Sequence, residues 1–136
     1  MRLFYTLLAF SLLSAPVFLT AQNINPETVS KKLLERIADE PGAMHSVHIV
    51  LADRVDLVAL DQQLTAQRAL PEQRAETVIL ALKNKAAETQ GLLFSKIKNS
   101  PAANPASVRS FWVANAIFAE MKTELVAELS RRPDVA

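Results

Sequence analysis

Apolar residues recur along this chain with two different periods. Val29, Leu33 and Ile37 stand four apart, with Leu34 beside them, and that spacing puts side chains on one face of a helix. Asn25-Pro26-Glu27 supplies a start signal: Asn is a good N-cap, Pro suits the first turn, and Glu favours the positive end of the helix dipole. Pro41-Gly42 is a stop, so a helix is predicted over 26–39. From Ser46 to Leu51 the period falls to two. Val47, Ile49 and Leu51 alternate with Ser46, His48 and Val50, which predicts a strand with one strongly apolar face. Asp53 or Asp56 is placed to cap the next helix. Leu57, Leu60 and Leu64 then form one helical stripe. Ala75, Val78, Ile79, Leu82, Ala86, Leu93 and Ile97 form another. Pro71 falls between them, so residues 56–98 read as two helices or one helix kinked near Pro71. Gly91 weakens the second stripe by about 1 kcal/mol relative to Ala.

Asn99 to Ser107 holds two prolines and small polar residues, and reads as a loop. Val108–Asn115 and Ala116–Met121 are rich in Val, Phe, Trp and Ile and read as two strands. Their corner is placed at Asn115-Ala116, because Asn tolerates turn geometry. Thr123 is a candidate cap for a last helix, with Glu124 in its first turn. Leu125, Val126 and Leu129 form its apolar side, Arg131-Arg132 its negative end, and Pro133 its stop. Val135-Ala136 opens one more strand. After the first helix the order is strand, helices, strand, strand, helix and a stump of strand. The predicted fold class is α+β: a ferredoxin-like split βαβ unit with an extra N-terminal helix and a truncated last strand.

Half of the residues are hydrophobic, but many of them fall in the first twenty positions. Met1-Arg2 gives a positive start, Leu3–Leu19 is an apolar run, and Leu19-Thr20-Ala21 offers a small residue before Gln22. Residues 1–21 therefore read as a signal peptide removed on export; the run is short for a membrane span and Pro16 interrupts it. The next segment, 22–43, is the N-terminal helix and its linker, and 44–136 is the main domain. Removing Arg2 lowers the 15 basic residues to 14, equal to the 14 acidic ones. A neutral chain argues against nucleic acid, whose partners carry a basic stripe, and gives no reason to expect membrane attachment after cleavage. There is no cysteine, so neither a lipid anchor on cysteine nor a disulfide framework is available. A secreted or periplasmic location is the expectation.

Catalytic signatures are absent from the sequence. Only His45 and His48 offer imidazoles, and on a strand their odd spacing sends them to opposite faces. With no cysteine beside them a metal site is not expected. No G-x-S-x-G surrounds a serine, and two glycines, Gly42 and Gly91, do not make a phosphate-cradling loop. Asp53, Asp56 and Asp61 read as caps and solvated positions. Lys83, Lys85, Lys96 and Lys98 read as a solvated helix face. Neither an enzyme nor a cofactor is expected. In Phe111–Phe118, however, apolar residues occupy both parities. A strand covered on one side alternates, so the second face of this sheet is expected to meet a partner.

The same residues carry a family resemblance. Phe111-Trp112-Val113-Ala114-Asn115-Ala116-Ile117, then Glu124-Leu125-Val126-Ala127-Glu128-Leu129, then Arg132-Pro133-Asp134-Val135-Ala136 resemble the propeptides of subtilisin-like serine proteases. Val47-His48-Ile49-Val50-Leu51 is similar to that family's opening strand, and Ile24-Asn25-Pro26-Glu27 to the lead-in of its longer bacterial forms. The likeness spans most of residues 24–136. It implies an intramolecular-chaperone and peptidase-inhibitor role for 44–136. In this role an open sheet face docks on two surface helices of a subtilisin-like protease domain. The protease-binding residues it implies are His48, Val50, Phe111, Val113, Asn115, Phe118 and Glu120, with Glu120 placed to cap the protease helices. The protease domain and the family's cleft-occupying tail have no counterpart in this sequence. Two other expectations stand beside this one: a secreted ferredoxin-like interaction module with an unrelated partner, and a remnant of a truncated subtilase precursor.

Overall fold

The computed structural model describes residues 24–136; the predicted signal segment, 1–21, lies outside them. Helix α1 spans Lys31–Asp39 and starts at Ser30, whose Oγ accepts from the Leu33 amide at 3.4 Å. The helix therefore begins later than Pro26. Asn25 spends its capping capacity on a separate turn: its Oδ1 accepts from the Glu27 amide at 3.1 Å and its carbonyl from the Thr28 amide at 3.3 Å. This is the local side-chain bonding that lets Asn compete with helix formation. Strand β1 spans Met44–Val50. Helix α2, Leu57–Ala66, is capped by Asp56, whose Oδ1 accepts from the Val58 and Ala59 amides at 3.0 and 2.9 Å. Asp53 instead meets Lys85 Nζ at 3.0 Å.

Of the two readings of 56–98, the two-helix one holds. Arg68 adopts a positive φ of 52° and ends the first helix. Helix α3 then runs Pro71–Lys98 with Pro71 in its first turn, while Gln73 Oε1 accepts from the Leu70 amide at 3.1 Å. An Asp61–Arg74 ion pair joins α2 and α3.

Strand β2 covers only Arg109–Phe111, β3 covers Ala116–Lys122, and α4 covers Thr123–Leu129. The sequence predicted a longer first strand, to Asn115. Trp112–Asn115 instead form the turn between β2 and β3, so their apolar side chains do not follow strand alternation. Thr123 is the first residue of α4 and not its cap; its hydroxyl donates to the Pro41 carbonyl at 3.1 Å.

The sheet order is β1-β3-β2, antiparallel throughout. The long ladder runs from Met44 opposite Lys122 to Val50 opposite Ala116. On the outer side of β1, Val135 forms an antiparallel bridge to Leu51, so the predicted stump of strand does pair. The described residues thus form an α+β unit of four helices and a three-stranded antiparallel sheet.

One face of that sheet builds the core. Ile49 on β1 and Ile117, Ala119 and Met121 on β3 are buried there with Leu93 and Ile97 of α3, Leu125, Val126 and Leu129 of α4, and Ile37 of α1. Burying each large aliphatic side chain contributes about 1.5–3 kcal/mol. The N-terminal helix joins this side, and Val29 and Leu33 pack against the same cluster. No helix among the described residues is long and apolar enough to cross a membrane.

Candidate functional site

Strand parity decides what the other face displays, because successive side chains point to opposite sides. The even positions of β1 and β3 lie opposite one another in register: Ser46 with Glu120, His48 with Phe118, and Val50 with Ala116. β2 adds Arg109 beside Phe118 and Phe111 beside Ala116. The open face is therefore a grid with an aromatic centre. The His48 ring lies 5.1 Å from the Phe118 ring and 6.3 Å from the Phe111 ring, tilted by 59° and 37°. His48 is exposed, Phe111 is 46% exposed, and Val50 and Phe118 are half-buried.

Its rim is polar and fixed by the loop that precedes β2. Asn104 Nδ2 donates to Glu120 Oε2 at 2.9 Å, and the Glu120 amide donates to Ser107 Oγ at 2.8 Å. Arg109 Nη1 donates to the carbonyls of Ala106 and Val108 at 2.8 and 3.0 Å. The patch thus has one anchored acid and one anchored base around an apolar middle. It offers contact area and hydrogen bonding to a partner surface.

Of the seven residues implied by the resemblance, His48, Val50, Phe111, Phe118 and Glu120 come together on this face. Val113 sits apart, on the β2–β3 turn, and is 63% exposed. Trp112 of the same turn lies under the Lys83 ammonium, 5.3 Å from the ring centroid. Asn115 is buried, only 3% exposed, and its side chain is engaged internally. Its Nδ2 donates to the Asp53 carbonyl at 2.7 Å, and its Oδ1 accepts from Gln90 Nε2 at 2.8 Å. Arg109 and Ser46 belong to the face but were not singled out from the sequence. Strand parity alone would have found both.

The two histidines part as their spacing requires. His45 points into the core, 2% exposed, with no hydrogen-bond partner for Nε2. No group of three or more histidine, aspartate and glutamate residues that could hold a metal occurs among the described residues. Comparison with protein-family models, curated proteins and solved structures finds no match to this chain.

Proposed function

We propose that this protein is an exported, protease-binding domain of the subtilisin-propeptide type, acting by docking and not by catalysis. The observation that supports it is the aromatic patch His48–Phe111–Phe118, which no helix among the described residues covers, on the sheet face opposite the core. Exposed apolar clusters rimmed by polar groups are a mark of interaction surfaces. A ferredoxin-like arrangement is the finer reading of the fold. It is supported by Val135 flanking β1, which gives the strand order stump-β1-β3-β2. In this proposal the open face lies on two helices of the protease. Glu120, held by Asn104, meets their N-terminal ends, where negative charge is favoured.

The test is calorimetric titration of the purified protein into a subtilisin-type protease whose active site is covalently blocked. Saturable one-to-one binding is expected. It should weaken at least tenfold with Phe111→Asp or His48→Glu, two exposed positions whose change leaves the circular dichroism spectrum intact. A folded protein that shows no binding would exclude the protease reading. It would favour an interaction module that uses the same face for an unrelated partner.

A further inference from the structure

We infer that the docking face continues past the end of the sheet into a second pocket, which takes an apolar loop tip of the same partner together with a carboxylate. The pocket is a cleft of about 600 Å³ between the start of α2 and the β2–β3 turn. Val50, Leu57, Val58, Leu82 and Val113 give it apolar walls. Val50 belongs to both surfaces: on the open face it lies opposite Ala116, which pairs in turn with Phe111. That row is two residues, or about 7 Å, along the strands from the His48–Phe118 row. A partner seated on the aromatic centre therefore reaches the cleft without turning. Val113, which stands apart from that centre, forms part of the cleft wall. This pocket presupposes the docking reading proposed above.

Internal bonds hold the cleft in shape. Asp56 caps α2 through the Val58 and Ala59 amides, and Asn115, which also lines the cleft, is tied to Asp53 and Gln90. The mouth is open and apolar: Leu57, Val58 and Val113 are 48%, 70% and 63% exposed. Walls this exposed suit a projecting part of another protein better than a small ligand, which a pocket buries by about 70–90%. Residues 132–136 do not line the cleft, and their course, from Asp134 beside Ala52 to Ala136 beside Val50, runs along β1 away from it. Charge selects the second group of the occupant. Three charged residues line the cleft, Arg54, Asp56 and Lys85. Asp56 sits at the positive end of α2, and Lys85 pairs with Asp53 and Glu88 at 3.0 and 3.4 Å. Arg54 makes no ion pair among the described residues. An Asp or Glu flanking the apolar tip gives it one. Apolar anchors seated in a pocket carry most of the energy of docking, while the flat contacts around them mainly exclude water.

The experiment titrates the purified protein and three variants into the covalently blocked subtilisin-type protease, and adds methyl NMR of the complex. Val58→Asp puts a charge in the mouth of the cleft, at a first-turn position where an acid favours the helix. Binding should weaken at least tenfold with an unchanged circular dichroism spectrum. Arg54→Ala should weaken it at least threefold and make it less sensitive to salt, since an exposed charge pair is screened. Leu92→Asp, at an exposed position of α3 outside the cleft, should change the affinity by less than twofold. In the complex the methyl resonances of Val58, Leu82 and Val113 should shift and those of Leu92 should not. No binding by the folded natural protein would overturn the docking reading and the pocket with it. Saturable binding that Val58→Asp and Arg54→Ala leave unchanged, with unshifted cleft methyl resonances, would overturn the pocket alone. So would a protein that dimerises without protease and loses the dimer on Val58→Asp, which would assign the cleft to a second copy of the chain.

Discussion

Asn115 shows how much one residue contributes to this fold. It takes a positive φ of 45° at the end of the β2–β3 turn, a conformation that Asn accepts more readily than most residues. Its side chain meets Asp53, Thr89 and Gln90, tying β3 to α3 and to the segment after β1. The expected result of Asn115→Gly comes from separating these roles. Glycine keeps the backbone angle but removes the shorter of the two bonds made by Nε2 of Gln90, which is 4% exposed, and the bond that holds the Asp53 carbonyl. The loss should be about 1–3 kcal/mol, the cost of leaving buried polar groups short of a partner. A urea midpoint measurement checks it, and a loss below about 0.5 kcal/mol would show that turn geometry alone matters. From the sequence Asn115 was legible as a corner residue. Its bonding partners lie at positions 53, 89 and 90, and no local spacing could announce them.

Helix α3 is the element whose length exceeds what the core uses. Its 28 residues extend about 42 Å at 1.5 Å per residue, against about 23 Å for a seven-residue strand. Its buried positions are Ala86, Gln90, Leu93 and Ile97, whereas Ile79 and Leu80 toward its start are exposed. The stripe read from the sequence was therefore correct in period and too generous in burial: periodicity reports a face, and only packing partners decide how much of it is covered. Gly91 lies on the exposed side, and a Cβ built there meets nothing within 4 Å. Gly91→Ala should then raise stability by up to about 1 kcal/mol, through lower chain entropy in the unfolded state and better helix propensity. Thermal unfolding of the two proteins measures this. A lower melting temperature would mean that the position meets something the free chain does not show. β2 is shorter than its residue types suggest for the opposite reason. Trp112, Val113 and Ala114 are apolar and strand-like in type, and the turn that Asn115 sets overrides them.

At the scale of the whole molecule, residues 132–136 pair with the Val50–Ala52 end of the outer side of the sheet. Arg132 Nε and Nη2 donate to the two carboxylate oxygens of Asp134 at 2.8 and 2.7 Å, and the Asp134 carbonyl holds the Ala52 amide. The hydrogen bonds from Arg132 hold the Asp134 carboxyl below its ordinary range, and the same pairing raises Arg132. A carboxyl depressed in the folded state adds stability above its unfolded pKa, about 3.9, and that stability is lost as pH falls through the lower folded value. The gap in stability between the natural protein and Asp134→Asn should therefore be present at neutral pH and close on acidification below about pH 4. Both side chains are about a third or more exposed, so the gap should stay under about 1 kcal/mol. Melting curves across that range check it; a gap that is constant with pH would remove the carboxylate from the account. The existence of this terminal pairing was legible in Val135-Ala136. The open aromatic face was legible in part, from Phe111 and Phe118. The side on which α1 would lie was not, because its apolar stripe of Val29, Leu33 and Ile37 fits either face of a sheet.

The register of β1 against β3 also sets the order in which this molecule comes together. The central ladder pairs segments on the order of 70 residues apart in sequence, so a long loop must close before any of its bonds form. The two helices between them are local structures that can form on the microsecond scale. Chains dominated by distant pairings fold slowly. β1 is thus the first strand synthesised, and it waits unpaired until residues 116–122 emerge. Formation of α2 and α3 is therefore expected to precede the sheet, an order that φ-values for variants in α3 and β1 would test.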